Sequence, residues 1–136
     1  MPLISSVITA LSSAGSWATY PWQAPSKGSV IGLQLSYRSV SVGVAGDTAL
    51  TMGVFAKPLV GTSVGVALGI TPDAPVTCYA MLQDSNKQTA GFQESLRGSI
   101  YVPTAIKLLP GQQLFLCCFS DAAGGMVGSA VFQFVW

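Results

Sequence analysis

Cys117 and Cys118 stand side by side in "QLFLCCFS", and together with Cys78 in "VTCYAML" they make up the three thiols of the chain. Neighbouring thiols could hold a metal, exchange electrons, or pack as small hydrophobes. Zinc takes about four nitrogen or sulfur ligands, commonly spaced as Cys-x-x-Cys or supplied by histidine. The chain has no histidine, so no metal site is expected. A disulfide between the two neighbours would need a strained backbone that is not a strand, and Cys78 is a geometric candidate for a partner that nothing in the sequence singles out. In a strand, successive side chains point to opposite faces. Leu114, Leu116 and Cys118 then share one face, and Phe115, Cys117 and Phe119 the other. Both faces are apolar, which describes a strand covered on both sides. Free cysteine is among the most buried residue types, so the thiols are expected to be packing.

The remaining reactive groups are few. Without histidine there is no Ser-His or Cys-His pair and no imidazole base. The five carboxylates are Asp47, Asp73, Asp84, Glu94 and Asp121, and most fall in turn compositions, where Asp commonly caps its own backbone. Glu94 lies in a strand-like stretch near Arg97, which reads as a surface ion pair. "GVAGDT" has neither the lysine nor the following helix of a phosphate loop. The expectation is a protein that is not an enzyme, with no catalytic residue, no cofactor and no metal.

Composition narrows the partners. Of 136 residues, 50% are hydrophobic and 8% charged, with a net charge of +1, whereas ordinary domains carry about 25% charged residues. The charges are scattered singly. They give no footprint for direct nucleic-acid contact and none for an anionic membrane. The most apolar window, Leu59 to Ile70, lies between Lys57-Pro58 and Pro72-Asp73, too short for the roughly twenty residues of a spanning helix. Its glycines match a small-xxx-small spacing, but its alternation favours a strand, so no membrane partner is expected. The opening "MPLISSVITALSSAGSW" lacks the positively charged start of a secretory signal. Leu3, Ile4, Val7, Ile8 and Leu11 fall at helical spacing, the pattern of a short helix or of an arm that docks on a neighbour. A segment packed on its own domain is the alternative. Apolar area with neither membrane nor charge to accompany it belongs at a subunit interface.

The elements that must carry these residues read as strands. Residues 1–28 form an amino-terminal arm or loop segment, with Trp17, Tyr20 and Trp22 as large anchors in a Ser/Gly/Pro-rich stretch. Residues 29–136 form a β-sandwich. "SVIGLQLSY" places Ile31, Leu33, Leu35 and Tyr37 on one face. "VSVGV" follows with opposite parity, which implies a bulge or a break. "TALTMGVFA" and "TSVGVALGI" come next, and "VTCYAMLQ" runs into a polar loop "DSNK" from which "QTAGFQESL" returns. Pro103 marks its strand, in "GSIYVPTAIKL", as an edge or a bulge. Pro110-Gly111 is a turn, and the strands on either side of residues 120–125 close the chain as a hairpin. Many short strands with Gly/Pro turns indicate an all-β, antiparallel β-sandwich. Its size fits a jelly-roll-like arrangement of about eight strands.

The Leu-Pro-Gly turn, then "QQLFLCCFS", a loose loop and a final "AVFQFVW" resemble the last two strands of jelly-roll proteins. Small viral capsid and capsid-decoration proteins are one such group, and trimeric C1q/TNF-like heads are another. The resemblance covers the closing stretch of the chain and transfers no functional residue. Secreted heads normally show a signal peptide or collagen-like stalk, and RNA-packaging coats often carry a basic arm; neither feature is present. The resemblance therefore implies a virion structural protein, most of all a phage or viral capsid cement or decoration protein, made in the host cytoplasm and placed on the capsid surface. The expected partners are its own copies, with a homo-trimer favoured, and capsid subunits. The candidate interface residues are Leu3, Ile4, Val7, Ile8, Leu11, Trp17, Tyr20 and Trp22. Two alternatives are a receptor- or glycan-binding spike module, with those aromatics as a sugar platform, and a major coat protein without a nucleic-acid arm.

Overall fold

β-branched and aromatic residues alternating with polar ones, broken by Gly and Pro, favour pleated strands over helices. The computed structural model describes residues 2–12, 17–39, 46–59, 77–88, 97–120 and 126–136, and among these there are eight strands and no helix. The strands are β1 (Leu3–Ser12), β2 (Trp17–Gln23), β3 (Gly28–Ser39), β4 (Gly46–Phe55), β5 (Cys78–Gln88), β6 (Arg97–Leu108), β7 (Gln113–Ser120) and β8 (Met126–Val135). They form two four-stranded antiparallel sheets, one in the order β1-β8-β3-β6 and the other β2-β7-β4-β5. The expected all-β antiparallel sandwich is the observed architecture.

The pairings follow one rule. β1 pairs with β8, β2 with β7, β3 with β6, and β4 with β5. The chain is thus one long antiparallel ribbon, folded back at β4–β5 and rolled so that β3–β8 and β4–β7 close the two sheets. Between the sheets lies the core, with Val30, Leu33 and Leu35 of β3, Met52 and Val54 of β4, Leu114, Leu116 and Cys118 of β7, and Phe132 and Phe134 of β8, all fully or almost fully buried. Burying each large side chain contributes about 1.5–3 kcal/mol. Trp22 of the second sheet stacks on Phe132 of the first, with ring centroids 4.8 Å apart and planes 2° from parallel.

Five expectations are corrected by the structure. The amino-terminal helix is instead strand β1, and β1 and β2 are built into the sheets rather than standing apart as an arm over residues 1–28. Leu3, Val7 and Leu11 share odd parity while Ile4 and Ile8 share even parity, so a spacing that fits one helical stripe also fits two faces of a strand. The final two strands are no hairpin: β7 and β8 lie in opposite sheets and face each other across the core. Ile31 does not join Leu33 and Leu35, because the β3 register shifts between Val30 and Gly32, turning Ile31 outward. Pro103 sits opposite Gly32 at this irregularity, on the edge strand β6, where its missing N–H is tolerated. "DSNK" continues β5, its backbone paired residue by residue with β4 from Leu50 back to Asp47; a cross-strand partner overrides its turn-like composition. The segments expected as strands at 40–44, 60–70 and 89–96, the turn at 120–125 beyond Ser120, and the residues Asp73, Glu94 and Asp121 lie outside the described residues.

The Pro110-Gly111 turn forms as expected. The Gln112 N–H donates to the Leu109 carbonyl at 3.1 Å, and Gly111 takes φ of 80°, as the third position of a type II turn demands.

Candidate functional site

The two thiols face opposite ways, as strand alternation requires. Cys118 is enclosed between the sheets, while Cys117 packs on the outer side of the second sheet with Phe55, Leu59, Trp17 and Phe115. Thr19 ties this outer cluster down: its hydroxyl lies 2.8 Å from the Leu59 carbonyl and 3.4 Å from Cys117 Sγ. Burial raises the Cys117 thiol, and it pushes Cys118 up to about 12, with the neighbouring Cys117 adding to the effect. Both therefore stay protonated near neutral pH, and a neutral thiol is a poor nucleophile. Cys78 is exposed, its thiol also raised by partial desolvation, and all three sulfurs are free.

With Cys117 and Cys118 buried, the surface that stands out among the described residues is the outer face of the first sheet. Antiparallel register sets Leu3 beside Val135, Val7 beside Val131 and Leu11 beside Val127, with Ser5 beside Gln133 and Thr9 beside Ser129 between them. Apolar rungs thus alternate with uncharged polar ones, and neither β1 nor β8 contains a charged residue. The polar rungs are satisfied laterally: the hydroxyls of Thr9 and Ser129 are 3.2 Å apart, and Tyr101 Oη donates to Gln133 Oε1 at 2.8 Å. Leu3, Val7 and Leu11 are 53%, 64% and 61% exposed, high for residues of this type.

The eight candidate interface residues therefore divide. Leu3, Val7 and Leu11 line this outer face, and Tyr20 is exposed on β2. Ile4 and Ile8 turn inward against the core, and Trp22 is a core residue at 5% exposure. Trp17 is half-buried on the outer side of the second sheet, its ring 6.4 Å from Phe55 and 5.3 Å from Phe119. Trp17, Tyr20 and Trp22 consequently form no shared platform: alternation sends Trp17 outward and Trp22 inward. Sequence reasoning missed Val127, Val131 and Val135. Their signal was present as a four-residue apolar period matching that of Leu3, Val7 and Leu11, which only the β1–β8 register converts into rungs.

No protein-family model and no curated protein matches the chain. Among solved structures it is similar to Desmodium yellow mottle tymovirus, at 12% identity and a TM-score of 0.45 over 98% of this chain and 85% of that one. It is similar to tomato aspermy virus at 12% identity and a TM-score of 0.48, over 98% and 76% of the two chains. For infectious bursal disease virus the values are 17% and 0.42, over 96% of this chain and 32% of that one. At these distances the likeness assigns no residue a role and gives this chain no function.

Proposed function

We propose that this chain is a virion structural protein whose sandwich is a jelly roll, acting through assembly rather than catalysis. The observation that carries the reading is the uncharged outer face of β1 and β8, set on a rolled ribbon whose interior is filled by its own side chains. Eight strands in two sheets wound from a folded ribbon match the jelly-roll plan, which viral capsid, lectin and cupin domains share. Filling the interior with Phe132, Phe134, Leu116 and Met52 favours, within that group, a role carried by the outside of the molecule. An apolar, charge-depleted outside is the composition of subunit interfaces.

In its finer form the protein is a capsid cement or decoration protein, bound as a symmetric oligomer to neighbouring capsid subunits, each weak contact multiplied by symmetry. No direct nucleic-acid contact belongs to this role, since the scattered charges make no basic patch.

Sedimentation of the purified protein at micromolar concentration tests the assembly reading; discrete oligomers are expected, and a monomer throughout that range would overturn it. Electron micrographs of the protein expressed alone separate the finer forms. Small oligomers without closed shells fit decoration, whereas closed shells would replace it with a coat protein.

A further inference from the structure

A sheet ends in strands whose outer N–H and C=O groups lack partners, and natural sheets guard such edges with proline, charge or bulges. Among the described residues four strands occupy edges: β1 and β6 in the first sheet, β2 and β5 in the second. Three carry a guard in their sequence. β2 contains Pro21, β5 contains Asp84 and Lys87, and β6 contains Arg97, Pro103 and Lys107. β1, "LISSVITALS", has no proline, no charge and no glycine, and its register with β8 runs without a bulge from Leu3 to Ser12. Among the described residues it pairs with β8 alone.

Which residues face the free edge follows from one bond. The Trp136 N–H donates to the Pro2 carbonyl at 3.3 Å. Continuing the same antiparallel alternation along the strand turns the backbone groups of Ile4, Ser6, Ile8 and Ala10 toward β8, and those of Leu3, Ser5, Val7, Thr9 and Leu11 outward. Read in either direction, these five give apolar, polar, apolar, polar, apolar. Such a pattern complements itself about a two-fold axis through its centre.

We propose that β1 is the site at which two copies of this chain join, edge to edge and antiparallel, about a two-fold axis at Val7. Leu3 meets Leu11 of the second copy, Ser5 meets Thr9, and Val7 meets Val7. The first sheet of each copy joins its counterpart to make one sheet of eight strands, closed by about ten inter-chain backbone hydrogen bonds. Ile4 and Ile8, at the rim of the core, come opposite Ala10 and Ser6 of the second copy. A two-residue slip, which moves the axis to Ser6 or Ile8, sets leucine against threonine or serine and valine against serine or threonine, and a shift of the axis to Ser5 or Thr9 leaves one end of the edge unpaired. No like charges oppose one another at any step, because the strand has none. The inference rests on the assembly reading and names the surface that begins it.

The test uses the full chain. Val7→Lys sets two ammonium groups against each other across the axis, at a residue 64% exposed in the single chain. Circular dichroism and melting temperature of the dissociated chain stay as in the parent, while sedimentation shows association weakened about tenfold or more. Val7→Thr, which keeps shape and β-branching, retains association. Independently, Val7→Cys in a Cys78→Ser background gives a covalent dimer on mild oxidation. Leu3→Cys gives one only when mixed with Leu11→Cys, because each residue meets the other and not itself. Oligomers that persist undiminished in Val7→Lys, with no cross-link through Val7→Cys, would overturn the edge pairing and leave the assembly reading standing. A parent chain that sediments as a monomer throughout the micromolar range removes both.

Discussion

Gly128 of β8 and Cys118 of β7 meet across the core. A Cβ on Gly128 would stand 2.5 Å from Cys118 Sγ and 3.2 Å from Met52 Cε, so the sheets approach here only because one residue lacks a side chain and the other has a small one. Replacing Cys118 with Ala removes a buried sulfur and costs about 1–2 kcal/mol. Gly128→Ala alone overpacks the same spot and costs about 1–3 kcal/mol. Combined, the new methyl occupies the space the sulfur leaves, and the pair is expected to cost less than the sum of the single changes by about 1 kcal/mol or more. Chemical denaturation of the four proteins measures this, and strictly additive losses would show that the two residues do not share the space. The outward and inward placement of the thiols was legible in the sequence because strand alternation holds whatever the partner. The Gly128 contact was not, since it depends on how closely two sheets approach.

At the scale of the element, β1 and β7 mark the two ends of legibility. β7 announced itself because both of its faces are apolar and a Pro-Gly turn precedes it; the structure covers it with the opposite sheet on one side and the Leu59 cluster on the other. β1 was hidden because Leu3, Ile4, Val7, Ile8 and Leu11 satisfy helical and strand geometry alike, and only the partner strand β8 decides between them. The consequence for truncation is direct. Deleting residues 1–12 strips β8 of one neighbour and uncovers the inner side of the core at Ala10, which is fully buried. The shortened chain is expected to melt well below the parent or to aggregate, monitored by circular dichroism and light scattering. A shortened chain with the parent's melting temperature would restore the view of this segment as a detachable arm.

For the whole molecule, the class of fold was legible while the wiring was not. Turn residues and alternation mark strands, but they carry no information on which strands pair across more than a hundred residues. β7 and β8 look like a hairpin in sequence because hairpins are the default for neighbouring strands; here each is instead held by two partners within its own sheet. The same wiring has a consequence in time. The first strand pairs with the last, Leu3 against Val135, and the last also lies between β1 and β3. During synthesis, then, β4 gains its partner β5 early, while β1 waits unpaired until residues 126–135 are made. Closing such distant pairs is intrinsically slow, and until then the unguarded β1 edge and the apolar inner faces stand open to other chains. Chains arrested short of residue 126 should be cut readily by protease and should aggregate, and resistance should appear only once β8 has cleared the ribosome. Resistance in chains that still lack β8 would show that the first sheet forms without its keystone.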